Sequence, residues 1–385
     1  MNDDSGRKRR PASYLRYALL ALAAFLVLSL GFALIPRESP APAAPPFSEQ
    51  ARSAALAETL ELRAASQQLA KGSSGARRQL FSHAVTLLTT HARALLLPDR
   101  ASGSTSSTAD ASSGHSSSGA APSGTATLPA LVAALSKSGK ERLVHAEKAD
   151  GGMARLLAAV GTAQLLQATT LAQAAGTTPP ALPAPAATGR NAAAACSVPP
   201  DSSAQPRQAS VPADTAPADS GPPDTATLAA ALSRAVRTEV ETVYGYQVAL
   251  TRLKGTAAEQ AAGLLAKHET LVGQAEAYTR VHCVSVPPRE PGYTLGTSFL
   301  QKPAAGLASL EAGTLPVYGD LVALSDGETR KWAVSSLVAA AQRTMRWGSD
   351  PGPVPGIVLD TTLLPELPEP EAPSPRRTGQ SASAP

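Results

Sequence analysis

Aromatic side chains, cysteines and clustered charge are all scarce in this sequence, and each shortage closes off a class of protein. Aromatics make up 4% of the 385 residues. Strand-built cores lean on aromatic and β-branched residues, so a chain with few aromatics and long Ala/Leu-rich stretches reads as all-α. There are only 2 cysteines, Cys196 and Cys283, which excludes a disulfide-dense scaffold, and their spacing fits no zinc-binding pattern. Two readings stay open for this pair. Either they form a disulfide, as an oxidising compartment permits, or they are two buried thiols. Net charge is +4, with the basic residues scattered except at the N-terminus. No basic stripe is interleaved with aromatics, so a nucleic-acid partner is not expected. Catalytic signatures are missing too: no nucleophile elbow, no H-E-x-x-H, no phosphate-cradling glycine loop and no CxxC. No residue is assigned a catalytic role, and the chain reads as a non-enzyme.

What is present begins with Arg7, Lys8, Arg9 and Arg10, ahead of an uncharged apolar run from Ala18 to Ile35 with Tyr14 and Tyr17 at its near edge. As a helix that run is roughly 27 Å long, enough for one crossing of a bilayer core. The basic cluster before it, against a lone Arg37 after it, predicts N-in orientation. Residues 1–14 therefore read as a cytoplasmic tail and 15–35 as a single-pass anchor in the cell membrane. A cleaved signal peptide is the other reading, because Ala41-Pro42-Ala43 offers an A-x-A site. Both put the bulk of the chain outside the cytoplasm.

Beyond a Pro/Ala spacer at 36–47, helical segments alternate with stretches unfit to pack. Segments at 48–71 and 76–97 are split by GSSG. A Ser/Gly/Thr tract at 98–127 is too polar and small to bury. Segments at 128–150 and 153–175 follow, parted by Gly151-Gly152, and complete an N-terminal bundle over 48–176. A Pro/Ala/Asp-rich linker spans 177–223. A second bundle, 224–350, repeats the plan. Asp224 or Thr225 caps a helix reaching Lys254, and a second helix runs from Thr256 to Cys283. Pro303 opens a third, which Pro316 should kink or break, and Asp326 caps a fourth ending near Gly348. The Pro-rich remainder, 351–385, reads as a disordered tail whose first part could strap across the last bundle. Short turns make antiparallel neighbours, and the long middle connections allow crossovers. The expected architecture is two four-helix up-down bundles in series plus one transmembrane helix.

Counting in threes and fours along the second bundle isolates its chemistry. The apolar stripe of the first helix (Leu228, Leu232, Ala235, Val243, Tyr246) has Glu239 at its centre. That of the second (Ala261, Leu264, Leu271, Ala275, Tyr278) has His268, and that of the third (Leu307, Thr314, Tyr318, Leu321) has Glu311. The fourth helix turns Val334, Leu337, Ala341 and Met345 inward. An ionised carboxylate in an apolar interior must be paired, bonded or neutralised. Two solutions are open: a hydrogen-bonded network with Tyr246, Tyr318 or Arg330 as partners, or a metal ion held by Glu239, His268 and Glu311. In the first bundle His91 falls on an apolar stripe with no carboxylate beside it, and reads as a core residue.

Three stretches of the second bundle carry a resemblance: Glu239 with VYGY at 243–246, KHETL at 267–271, and RKWAVSSLVAAAQRTMRW at 330–347. Residues 224–350 resemble an exported bacterial family of ferritin-like domains of unknown function. The resemblance implies a four-helix ferritin-like bundle and no defined activity. The wider ferritin-like group binds di-iron between paired Glu and Glu-x-x-His helices. In this chain Leu265 stands three before His268, and the only glutamate of the fourth helix is Glu328, in its first turn. No cofactor is expected on the network reading; iron, manganese or zinc is expected on the metal reading. Two functions follow. One is a membrane-anchored, non-catalytic scaffold or interaction module with a cell-envelope protein partner. The other is a degenerate ferritin-like metal-binding or redox protein.

Overall fold

Helix is the only extended regular structure among the residues that the computed structural model describes, which are 17, 19–25, 44–96, 126–183 and 226–368. The basic tail, most of the expected anchor, most of the Ser/Gly tract, the linker from 184, the tail from 369 and Cys196 lie outside them. The chain divides into two units, Met1–Pro45 and Pro46–Pro385. In the first, residues 19–25 are helical, with Leu19, Leu20, Leu22 and Phe25 exposed. No helix among the described residues is long and apolar enough to cross a membrane.

The second unit holds two helical halves. The first has α1 (Phe47–Lys71), α2 (Gly75–Leu95), α3 (Leu128–Ala146) and α4 (Gly151–Ala174). The second has α5 (Leu228–Leu250), α6 (Gly255–Val281), the short α7 (Thr297–Gln301), α8 (Pro303–Leu324) and α9 (Gly327–Arg346). Hydroxyl and carboxylate caps start several of them. Thr127, Asp150 and Thr227 accept from the backbone N–H of Ala130, Met153 and Ala230, satisfying donors a helix start leaves unpaired. Thr227 thus replaces Asp224 or Thr225 as the cap of α5. Gly255, expected to end that helix, instead opens α6 at φ 57°.

Side-chain pairs give the helix directions. Glu239 meets Tyr318 and Tyr246 meets Glu311, so α5 and α8 run antiparallel. Since α6 turns back from α5, α6 and α8 run parallel, and residues 282–302 cross the length of the bundle between them. The first half follows the same course. Ser48 reaches Asp150 and Glu58 reaches Arg142, making α1 and α3 antiparallel. Both halves go up, down, down and up.

The halves are not merely strung in series. They lie against each other and share one core, in which Ala154, Leu157 and Ala158 of α4 join Leu315, Leu321, Trp332 and Leu337 of α8 and α9. The reason is α4 itself. Its residues 157–168 are buried on every side, Gln164 and Gln167 included, so neighbours must enclose it all round. At the joint, a Cβ on Gly151 would fall 2.3 Å from the Ala323 carbonyl oxygen. Arg330 Nη1 donates to the Ala149 carbonyl at 2.6 Å, and Arg155 pairs with Asp320 at 2.8 Å.

Three further expectations need correction. Pro316 neither breaks nor ends α8, which continues to Leu324. Met345 is exposed rather than inward. Residues 351–368 are also not a loose tail, but are laid along the first half. His91 Nε2–H donates to Pro353 O at 2.6 Å, Arg155 Nη2 to Gly356 O at 2.6 Å, and Arg93 Nη2 to Leu364 O at 2.6 Å. A proline-rich strand offers carbonyls with no internal partner, and cationic side chains collect them. Val354 is buried against Ala159 and Val160. Gly356 (φ 84°) allows its carbonyl to come so near Gly319 that a Cβ there would lie 2.5 Å from it.

Candidate functional site

Glu239, His268 and Glu311 meet in the interior of the second half, each at most 1% exposed. His268 lies between the two carboxylates. Its Nδ1 is 2.7 Å from Glu239 Oε2 and its Nε2 is 2.9 Å from Glu311 Oε1. Both ring nitrogens thus face acceptors, and only an imidazolium can donate to both. Burial alone would lower the His268 pKa, but the Glu239 charge and the hydrogen bonds to both carboxylates overcome it and raise the value.

Two tyrosines and an arginine close the network. Tyr318 OH donates to Glu239 Oε1 at 2.6 Å, and Tyr246 OH donates to Glu311 Oε1 at 2.7 Å. Arg343 Nε–H donates to Glu311 Oε2 at 2.8 Å. Trp347 Nε1–H in turn donates to Tyr246 OH at 2.7 Å. Burial pushes both phenols up, reinforced by Glu311 for Tyr246 and by Glu239 for Tyr318, so both remain donors. Burial would also raise Glu311, yet the Arg343 guanidinium and His268 hold it down at about 2. Two carboxylates face two cations, and every carboxylate oxygen has a donor.

Each member reaches its place by helical spacing. Glu239 and Tyr246 lie seven apart on α5, and Glu311 and Tyr318 seven apart on α8, so each helix presents one carboxylate and one phenol to the interior. Antiparallel pairing of α5 and α8 then matches each carboxylate with the other helix's phenol. His268 of α6 fills the gap from one side and Arg343 of α9 from another. Small residues of α9 (Ala333, Ser336, Ala340) are buried, which lets the helix approach closely enough for Arg343 to reach Glu311.

Chemically the cluster is closed. Its carboxylates and imidazole are spent on one another and sealed from water, so none is free to exchange a proton with a substrate. Nor do these residues fit a ferritin-type di-iron centre. The two His268 nitrogens point to different carboxylates rather than to a shared centre, and Arg343 already supplies positive charge there. Among the described residues, no group of three or more His, Cys, Asp or Glu has the geometry to hold a metal ion.

Other residues singled out by sequence fall elsewhere. Arg330, a candidate partner of the network, serves the joint between halves. His282 lies 2.8 Å from Thr329 Oγ1. His91 is fully buried, held by Pro353 O, and burial lowers its pKa to about 4 despite that bond. Cys283 closes α6 at φ 57° and is disulfide-bonded. Arg343 escaped notice because it lies on the face of α9 opposite the Val334, Leu337 and Ala341 stripe, and residues 332–338 are buried on both faces. A second polar cluster also went unread. Fully buried Arg142 of α3 donates to Glu58 Oε2 at 2.6 Å, beside Ser138, Thr59 and Gln164.

Residues 231–358 match the family described as Domain of unknown function (DUF4439). The match runs from α5 through α9 into the segment that crosses onto the first half. No curated protein and no solved structure matches the chain.

Proposed function

We propose that this chain is a membrane-anchored, extracytoplasmic helical protein with a ferritin-like second half, serving as a non-catalytic scaffold or interaction module of the cell envelope. The carrying observation is the sealed, charge-balanced Glu239–His268–Glu311–Arg343 network, which fixes the register of four helices and leaves no group for chemistry. Buried ionic networks that specify one arrangement over its neighbours are the best-attested use of such groups. The single long crossover between α6 and α8 is the connectivity of ferritin-like bundles. Exposed Leu19, Leu20, Leu22 and Phe25 on a short helical stretch, beyond a basic cluster, suit a bilayer anchor. The disulfide at Cys283 suits an oxidising compartment.

The test uses the full chain, purified without chelators. Elemental analysis is expected to find no stoichiometric iron, manganese or zinc, and none of these ions is expected to raise the melting temperature, as a ligand specific for the folded state would. Stoichiometric metal lost on Glu239→Ala would overturn the reading in favour of a metal or redox protein. Protease protection in intact cells tests the orientation independently.

A further inference from the structure

The four helices of the second half do not close evenly. α5 packs on α6 and α8, and α8 on α9, but α6 and α9 have few close backbone approaches. They join through side chains at one end. There the Tyr278 and Trp332 rings stack 4.9 Å apart, Trp332 Nε1–H donates to Gln274 Oε1 at 2.9 Å, and His282 meets Thr329. Beyond that seam the helices leave a cavity of about 560 Å³ between them. Matching positions line it: Lys267, Thr270 and Leu271 on α6, with Ala339, Arg343 and Arg346 on α9.

Three features of the lining point to one kind of ligand. Three cations border it and no carboxylate does. Lys267 and Arg346 are exposed and make no ion pair with any described residue. Arg343 is 6% exposed and spends only Nε–H on Glu311, leaving Nη1 unbonded and not fully buried. An unpaired guanidinium N–H in the lining offers an incoming oxyanion a charge-assisted bond. The rest of the lining is largely apolar, from Leu271, Val338, Ala266 and Ala339. The volume is that of an ordinary small-molecule pocket.

We propose that the α6–α9 cavity binds a small organic oxyanion, a carboxylate or phosphate with a short apolar body. Its head bonds to Arg343, Lys267 and Arg346 and its body lies on Leu271, Val338 and Ala339. Because Arg343 also anchors Glu311, occupancy of the cavity is joined directly to the buried network.

Titration calorimetry on the full chain in lipid nanodiscs, against empty nanodiscs, tests this with hexyl phosphate, hexanoate, 1-hexanol and inorganic phosphate. One or both of the organic anions should bind saturably at one site, at least about tenfold more tightly than the uncharged alcohol or bare phosphate, as charge-assisted bonds together with apolar burial require. The surface pair Lys267→Glu/Arg346→Glu should lose at least about tenfold with helicity unchanged. Ala339→Phe, which fills the cavity, should lose binding while keeping both rim cations. The proposal fails if neither anion binds, if hexanol matches the anions, if bare phosphate matches both, or if the charge-reversed pair binds undiminished.

Discussion

Each helical half buries an arginine and a histidine and sets a glutamate against the arginine, but uses them in opposite ways. In the second half the three belong to one network: Arg343 and His268 both hold Glu311, and all are buried. In the first half they are apart. Arg142 is buried, but its partner Glu58 has a side chain 36% exposed, and Arg142 Nε and Nη1 have no hydrogen-bond partner. His91, on the helix corresponding to that of His268, meets no carboxylate, only the Pro353 carbonyl. The same connectivity therefore carries a charge-balanced network in one half and, in the other, mostly uncharged polar groups with an ion pair open to water. Burial sets the price of an unpaired charge, and the network of the second half matches each of its own charges with another.

Substitution should break this contrast most visibly. Glu311→Ala strands Arg343 and His268 and is expected to cost about 3–5 kcal/mol in urea unfolding, the range for halving a buried ion pair. Arg142→Met should change stability by no more than about 1 kcal/mol, since its pair opens to water and its orphaned donors leave with it. Equal losses at both sites would erase the distinction.

Acidity separates the two histidines next. His268 has a raised folded-state pKa, so its contribution is fully present below the unfolded value of 6.5 and is lost as pH rises through the folded one. Glu311, lowered from 4.5 to about 2, loses its contribution as pH falls between those values. His91, lowered from 6.5 to about 4, weakens the fold as pH falls across that interval. For Glu311 and His91 the change corresponds to about 3 kcal/mol each. Between pH 6.5 and 4.5 the first half should therefore loosen while the second keeps its network. Hydrogen exchange should rise in α2 before α6 on acidification, and the opposite order would remove the assigned causes.

Smaller effects sharpen the same comparison. Tyr318→Phe removes a hydrogen bond to a buried carboxylate and should cost about 1.5–3 kcal/mol, whereas Thr59→Val, opposite Gln164 at 3.5 Å, should cost less than about 1 kcal/mol. Arg93→Ala, which releases two carbonyls of the crossing segment, should lower stability by about 1 kcal/mol. Proteolysis after residue 360 should quicken with it.

Much of the second half was legible because its helices alternate large apolar residues with an occasional polar one. Glu239, His268 and Glu311 stood out against Leu and Ala neighbours, and Tyr246 and Tyr318 followed at seven-residue spacing. Arg343 did not, because it lies opposite the apolar stripe of α9, on a face where a charged residue reads as solvated. Arg142 was hidden for a related reason, lying in a Lys/Glu-rich stretch that reads as a solvated face. The strap was illegible because proline-rich segments carry no periodicity, and what holds them is cationic side chains more than two hundred residues away.

By itself the sequence determined the helices, their turns and which side chains each turned inward, because these depend on spacing and capping within a few residues. Tertiary structure alone decided that the three inward groups bond to one another, that an arginine completes them, and that the halves share a core. Those outcomes depend on the order in which helices neighbour one another and on how closely small residues let them approach, and neither is written in any local stretch of chain.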